Sequence, residues 1–255
     1  MIDIHSHILP GVDDGAKHIT ESIAMAKIAV SEGIRTIIAT PHHKNGFFEN
    51  EKFDIIEKVA ELNDALKAES IGLDVLAGQE TRIYGDILAD YHAERILTLN
   101  DGGRYVFIEL PADHVPAYTE PLLYELQMKG LVPIIVHPER NLEFMESPNH
   151  LYKLVKHGAL TQITAKSIVG GFGKKTKKFA FQLIEKNLTH YIASDAHNTK
   201  SRAFHMAEAF TEVENKFGFD MRYLFMDNAE LLVQGKLAYK EIPQKIESRK
   251  FLGIF

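Results

Sequence analysis

The feature that most restricts the fold of this sequence is a regular alternation of short β-branched apolar runs with longer stretches of helical period. The short runs are typical of buried parallel strands, and the longer stretches carry apolar residues on one stripe, such as Ile23, Ala26 and Val30. This order predicts an α/β fold built on a mainly parallel sheet. The predicted strands are Ile2–His5, Ile34–Ala39, Leu73–Ala77, Tyr105–Ile108, Val132–Val136, Leu160–Ile163 and Tyr191–Ala193.

The domain organisation follows from length and from the lack of an interior linker. A chain of 255 residues suits either one large barrel of alternating strands and helices or two small domains. We predict a single domain over residues 1–235 and a basic extension over residues 236–255, which ends in Phe251–Phe255. Neither a signal peptide nor an apolar stretch of membrane-spanning length is visible, so we expect a cytoplasmic protein without membrane insertion.

Composition excludes several classes of function. The chain has no cysteine, which rules out disulfide frameworks, thiolate metal sites and cysteine nucleophiles. Its formal charge of −6 argues against a nucleic-acid partner, because such proteins need a positive field to displace counterions.

Polar residues of metal-binding type end or directly follow six of the seven predicted strands. In a parallel α/β barrel the carboxyl ends of all strands lie on one face, so these side chains are expected to converge although they are distant in sequence. The candidate ligands are His5, His7, His42, Glu80, Glu109, His137, Asp195 and His197, with Asp14 as a ninth.

The candidate ligands are imidazoles and carboxylates, which suit Mn²⁺, Fe²⁺ or Zn²⁺. One ion cannot use so many ligands, so two or three ions bridged by carboxylates is the simplest interpretation. Each motif alone has another explanation: a surface histidine pair, a carboxylate at a helix start, or an Asx-turn at Asp14. The agreement of six strand ends favours the metal site.

Two arginines and one histidine form a second group of candidates. Arg140 and Arg202 follow His137 and His197 closely, and a guanidinium fork matches the geometry of a phosphate, although a surface ion pair would also explain each arginine. His43 points away from His42 if the strand continues, so an outward placement or an indirect role stands beside a catalytic one.

Together these motifs resemble the polymerase and histidinol phosphatase (PHP) superfamily, and more narrowly the bacterial CpsB/YwqE-type manganese-dependent protein-tyrosine phosphatases. The resemblance covers the chain from Met1 to the basic tail. The segments that carry it are Ile4-His5-Ser6-His7-Ile8-Leu9-Pro10-Gly11-Val12-Asp13-Asp14-Gly15, Ala39-Thr40-Pro41-His42-His43, Gly78-Gln79-Glu80, His137-Pro138-Glu139-Arg140 and Ser194-Asp195-Ala196-His197.

The resemblance implies a distorted barrel of seven βα units with a trinuclear centre, usually of Mn²⁺, with Fe or Zn as substitutes. It implies one ion on His5, His7, Glu80 and Asp195, a second on Glu80, Glu109 and His137, and a third on Asp14, His42 and His197.

The resemblance also implies a substrate and a partner. The substrate would be phosphotyrosine on the tyrosine-rich C-terminal tail of a bacterial tyrosine kinase that regulates capsule or exopolysaccharide synthesis. A metal-bound hydroxide would attack in line while Arg140 and Arg202 hold the phosphoryl oxygens, and His43 could assist.

The sequence is also compatible with other functions. A small-molecule phosphatase of the histidinol-phosphate type would carry nearly the same metal rim, a nuclease is a further alternative, and a noncatalytic metal-stabilised regulatory module is the alternative of another class. The lysine-rich loop at residues 174–178 could attract an anionic tail or be a solvated helix face.

Overall fold

The computed structural model describes residues 1–247. Its strands are β1 (Ile2–Ser6), β2 (Thr36–Ala39), β3 (His42–His43), β4 (Asp74–Ala77), β5 (Glu80–Arg82), β6 (Tyr105–Glu109), β7 (Val132–Val136), β8 (Leu160–Thr164) and β9 (Tyr191–Ala193). Its helices are α1 (Ile19–Ser31), α2 (Lys52–Ala68), α3 (Ile87–His92), α4 (Thr119–Met128), α5 (Leu142–Glu146), α6 (Pro148–Lys156), α7 (Ala165–Val169), α8 (Lys174–Glu185), α9 (Met206–Phe217) and α10 (Phe219–Val233).

All strand pairs in the described residues are parallel, in the orders β1-β2-β4 and β3-β5-β6-β7-β8-β9. Two predicted strands are bent rather than single, because the chain of β2 continues past Pro41 as β3 and that of β4 continues past Gly78 as β5. Proline has no N–H to donate to a ladder. A Cβ on Gly78 would lie 2.6 Å from Cγ2 of Ile38, so the bend needs a glycine.

The last strand returns to the first. Ser6 and Ala196 form a parallel bridge, and the backbone N–H of Asp195 donates to the carbonyl of His5 over 2.9 Å. The backbone N–H and the hydroxyl of Ser194 both donate to the buried carboxylate of Asp3. The strands therefore follow one another in the order expected for the distorted seven-unit barrel, and the predicted α/β fold is confirmed.

The core has an inner and an outer layer, which alternate along each strand. Tyr105 and Phe107 of β6 pack inside the ring of strands, while Val106 and Ile108 pack outward in the layer shared with the helices. Successive side chains of a strand point to opposite faces, so runs that are apolar at every position are what a sheet covered on both sides requires.

The described part of the C-terminal extension, residues 236–247, contains neither helix nor strand. The hydroxyl of Tyr105 donates to the carbonyl of Lys236 over 2.6 Å, and the side chain of Asn228 accepts from the backbone N–H of Tyr239 over 2.7 Å. Phe251–Phe255 lie outside the described residues. Up to residue 247, every helix is too short or too polar to span a bilayer.

Candidate metal centre

The predicted ligands come together at the carboxyl ends of the strands. They form three overlapping clusters, and within each cluster the potential ligand atoms lie within 4.8 Å of one another. Asp195 and His137 lie outside these groups but close to them: Oδ1 of Asp195 is 3.4 Å from Nε2 of His7, and Nε2 of His137 is 2.9 Å from Oε1 of Glu80. The clusters are His5, His7 and Glu80; His7, Asp14, His42 and His197; and His42, Glu80 and Glu109.

Three histidines are oriented by hydrogen bonds at the ring nitrogen that faces away from the clusters. The Nδ1 atom of His5 lies 2.9 Å from Oε1 of Gln162, that of His7 lies 2.7 Å from Oδ2 of Asp13, and that of His197 lies 2.9 Å from the carbonyl of Asp195. Such bonds place the proton on Nδ1 and leave the lone pair of Nε2 facing the centre. A register irregularity between Asp3 and Ser6 accompanies the placement of His5.

Glu80 is the central carboxylate and is fully buried. Burial opposes its ionisation, but the nearby His42 and His5 hold the pKa of Glu80 well below its usual range. Its Oε2 atom lies 2.7 Å from Nδ1 of His42 without making a hydrogen bond. An ionised carboxylate among imidazoles on two sides is well placed to bridge two cations.

Glu109 lies at the edge of the centre and differs from Glu80 in protonation. Burial and the nearby Glu80 raise the pKa of Glu109 to about 7, which favours its protonated form far more than for Glu80. Nη2 of Arg82 lies 3.2 Å from Oε1 of Glu109, and Nη1 of Arg82 donates to the carbonyl of Leu110 over 3.0 Å. The guanidinium thus fixes the carboxyl of Glu109.

Asp195 joins the two predicted arginines to the centre. Nη2 of Arg140 and Nη2 of Arg202 lie 2.9 Å and 3.0 Å from Oδ2 of Asp195, which leaves Oδ1 facing His5 and His7. Burial opposes its ionisation, but Arg140 holds the pKa of Asp195 well below its usual range. Strand β9 ends at Ala193, and Asp195 has φ +52°, so Asp195 and His197 lie past the end of the strand.

Asp14 reaches the centre from a tight loop that follows β1. Its Oδ1 atom lies 3.4 Å from Nε2 of His42 and 3.3 Å from Nε2 of His197. The loop packs directly on β1, since a Cβ on Gly15 would lie 2.0 Å from the carbonyl oxygen of His7. This close approach explains why glycine follows the two aspartates.

The donor atoms fit metal ions. Several buried atoms at the centre have no hydrogen-bond partner within the described residues, and each is of a type that binds a cation. Burial and nearby positive groups lower the pKa values of His137 and His197 to about 4, so both imidazoles are neutral and able to bind a metal at neutral pH. The atoms without partners are Nδ1 of His42, Nε2 of His197, Oε2 of Glu80 and Oε2 of Glu109.

His42 limits how the clusters are used. Its Nδ1 atom faces Glu80 and its Nε2 atom faces Asp14. A neutral imidazole has one lone pair, so His42 serves one of these two clusters at a time. The structure groups Glu80 and Glu109 with His42. The resemblance instead implies an ion on Glu80, Glu109 and His137.

Two further predicted features lie apart from the clusters. His43 is buried on the face of β3 opposite to His42, and burial lowers its pKa, which favours the neutral imidazole. Residues 174–178 form the start of α8 and not a loop. Lys174, Lys175 and Lys178 are exposed there, whereas Nζ of Lys177 lies 2.8 Å from Glu212.

Three residues outside the predicted set support the centre: Asp13, Gln162 and Arg82. Asp13 precedes the predicted ligand Asp14 in a glycine-containing turn, and this position is the one feature of the local sequence that suggests a role for it. Gln162 is a polar residue in a buried strand, which suggests a specific partner, but its partner His5 is distant in the sequence. Arg82 gave no local signal, because the bent strand β5 on which it lies was itself not predicted.

Comparisons with known proteins agree with this geometry. The family model for capsular polysaccharide synthesis, CpsB/CapC, matches residues 1–234. The chain is 51% identical over 255 residues to the tyrosine-protein phosphatase YwqE of Bacillus subtilis, with both chains fully covered. It is 33% identical to the tyrosine-protein phosphatase CpsB of Streptococcus pneumoniae, with 93% of this chain and all of that protein covered.

A solved structure gives the same result in three dimensions. It comes from crystal structures of YwqE from Bacillus subtilis and CpsB from Streptococcus pneumoniae, described as unique metal-dependent tyrosine phosphatases, and matches with a TM-score of 0.95 and 50% identity. The match covers 97% of this chain and 100% of the other. By sequence over nearly its whole length, and by fold, this chain belongs to the CpsB/CapC family.

Proposed function

We propose that this protein is a metal-dependent phosphomonoesterase that hydrolyses phosphotyrosine on a protein substrate. The observation that carries the proposal is the convergence of buried imidazoles and carboxylates with unsatisfied donor atoms, directly beside two guanidinium groups on Asp195. Relatives that match over the whole chain are tyrosine-protein phosphatases, one of them described as metal-dependent.

The residues proposed to hold the ions are His5, His7, Asp14, His42, Glu80, Glu109, His137, Asp195 and His197. Divalent cations bound there would neutralise phosphoryl oxygens and lower the pKa of water toward neutrality. Mn²⁺ is the proposed metal, because hard carboxylates and imidazoles without thiolate suit it, and Fe²⁺ or Zn²⁺ would bind the same donors.

Arg140 and Arg202 bind and orient the phosphoryl group in this proposal. Each guanidinium has five N–H donors and makes one close contact with Asp195, so further donors remain for the substrate. Two fixed positive charges at this edge counter the charge on the equatorial oxygens of the transferring group. A phenol leaving group has a pKa of about 10, which reduces the need for a strong general acid such as His43.

A cavity of about 260 Å³ next to Glu109 and His137 suits the aryl part of the substrate. Its lining combines the guanidinium groups of Arg82 and Arg140 with the apolar side chains of Leu110, Pro111 and Phe144. Such a wall favours a phosphorylated aromatic ring over a phosphorylated hydroxymethyl group, because an aromatic ring gains apolar contact area there.

The proposed partner is a bacterial tyrosine kinase with a tyrosine-rich C-terminal tail, which acts in capsule or exopolysaccharide synthesis. The family description of the chain supports this context. The proposed location is the cytoplasm, where the tail of a membrane-associated kinase would be accessible.

The test combines elemental analysis of the purified chain with phosphate release from phosphotyrosyl and phosphoseryl peptides. We expect release from phosphotyrosine that disappears with a chelator and returns with Mn²⁺. Preference for histidinol phosphate would identify a small-molecule phosphatase instead. A folded, metal-loaded protein that releases phosphate from none of these substrates would refute the proposal and favour a regulatory module.

A further inference from the structure

The turn between α7 and α8 carries an aromatic side chain to the edge of the centre. The turn reads Gly170-Gly171-Phe172-Gly173, with φ +91° at Gly170 and φ +93° at Gly173, and both values favour glycine. A Cβ on Gly171 would lie 2.6 Å from Cγ and Cε of Lys166. The turn is therefore shaped by its glycines, and Phe172 is its one large side chain.

The ring of Phe172 contacts two cationic groups. The guanidinium carbon of Arg140 lies 5.2 Å from the ring centroid, and Nζ of Lys166 lies 4.7 Å from it. Both distances are within the range in which a cation is attracted to an aromatic face. Phe172 is only half-buried, so the burial of apolar surface does not by itself account for a phenylalanine here.

Asp195 links Arg140 and Arg202 directly, and the contacts of Phe172 and Lys166 provide a second link between them. Nζ of Lys166 also donates to the carbonyl of Ser201, the residue that precedes Arg202. Arg140, Phe172, Lys166 and the segment of Arg202 thus form one connected set. Asp195 restrains each guanidinium through a single close contact, and such a contact alone does not fix the plane of the fork.

We propose that Phe172 is a positioning residue that holds the guanidinium plane of Arg140 toward the phosphoryl group, with Lys166 fixing the ring on the side of Arg202. The inference rests on the proposed function, because phosphate is the anion that Arg140 is assigned to bind there. Phe172 acts through Arg140 and makes none of the contacts described for the metal clusters.

The variant F172L separates the aromatic ring from its apolar bulk, since leucine keeps the bulk and loses the attraction for cations. With the Mn²⁺-loaded full chain and inorganic phosphate as the probe, we expect F172L to raise the Kd of phosphate by about 3- to 30-fold. F172Y keeps the ring and is expected to stay within about twofold of wild type. The affinity for Mn²⁺ should not change in either variant.

A second readout needs no metal and no turnover. In the metal-free protein the Nε–H signal of Arg140, assigned with R140K, should show the upfield shift that a neighbouring ring face produces, and F172L should abolish it. F181L is the matched control, because Phe181 also lies close to two lysine ammonium groups but contacts Phe217 and not the arginines. F181L should leave the Arg140 signal and the Kd of phosphate unchanged.

The outcomes distinguish this inference from the proposed function. An unchanged Kd of phosphate in F172L overturns the role of Phe172, whatever the spectrum shows. A K166M variant gives an independent check, since it should also weaken phosphate binding without changing Mn²⁺ affinity, and wild-type binding by K166M would overturn the role of Lys166. A wild-type chain without Mn²⁺-dependent phosphate release refutes the proposed function instead.

Discussion

The carboxylate of Asp13 offers the sharpest test of how the candidate metal centre is supported, because it contacts two predicted ligands without being one. Its Oδ2 atom lies 2.7 Å from Nδ1 of His7 and accepts from the backbone N–H of His42 over 3.1 Å. Its Oδ1 atom accepts from the backbone N–H of Gly15 over 2.9 Å. The substitution Asp13→Asn keeps the size of the side chain but leaves one oxygen to serve three donors.

The expected effect follows from these three hydrogen bonds. Whichever way the amide is oriented, its NH₂ group faces at least one N–H donor that it cannot satisfy. Loss of a hydrogen-bond partner of a metal-binding histidine weakens metal affinity by about 10- to 100-fold, or about 1.4 to 2.8 kcal/mol. We therefore expect Asp13→Asn to weaken Mn²⁺ binding by this factor and to regain activity at saturating Mn²⁺.

The pH dependence of this loss has a definite sign. Burial opposes protonation of His7, but Asp13 raises the pKa of His7 well above its ordinary value, so protons should compete with the proposed metal for this imidazole. Asp13→Asn removes the charge responsible and reduces that competition. The deficit of the variant should therefore be smaller at pH 6.5 than at pH 8.

The assay is a Mn²⁺ titration by calorimetry together with the Mn²⁺ dependence of p-nitrophenyl phosphate hydrolysis. The matched control is Asp113→Asn, because Asp113 makes a similar contact with Nδ1 of His114 over 2.8 Å on the exposed surface. The control should behave as wild type. A Mn²⁺ affinity within twofold of wild type for Asp13→Asn would refute the supporting role.

Three further predictions concern other parts of the molecule. Glu80→Gln removes the charge of the central carboxylate and should reduce both the bound Mn²⁺, measured by elemental analysis, and the turnover rate. Retention of both would contradict the bridging role of Glu80. Burial and Lys240 lower the pKa of His190 to about 3, so the unfolded chain binds more protons below about pH 6.5 and stability is lost as pH falls. Denaturant unfolding should show a contribution of about 2 kcal/mol from this group between pH 7 and pH 5, which His190→Asn removes, and an unchanged pH profile of this variant would contradict the assignment. Charge reversal at Lys174, Lys175 and Lys178 should reduce turnover of a multiply phosphorylated tail far more than that of p-nitrophenyl phosphate, and equal losses would exclude a docking role.

The convergence of the candidate ligands was predictable because its signal is local. Glu109 and His137 each follow an apolar run, His5 ends the first predicted strand, and the parallel topology places the ends of such strands together. The runs themselves were recognisable because strands buried on both faces are continuously apolar, as in residues 105–108. The predicted fold and the placement of the side chains therefore depend on the same pattern.

The contacts that support the centre were not predictable for the opposite reason. Gln162 and His5 are 157 residues apart, and the sequence around neither residue indicates that the other is its hydrogen-bond partner. The bends at Pro41 and Gly78 were missed because β3 and β5 contain two and three residues, too few for any periodicity. Phe172 was visible only as part of a glycine-rich segment, since its contact with Arg140 depends on how the turn folds back.

The meeting of β1 and β9 has a consequence for the biosynthesis of this protein. His5 leaves the ribosome among the first residues, yet Asp195 and His197 follow only after most of the chain has been translated. A nascent chain therefore lacks Asp195, His197 and the strand that pairs with β1, so the proposed set of metal ligands is complete only after the last strand has been translated.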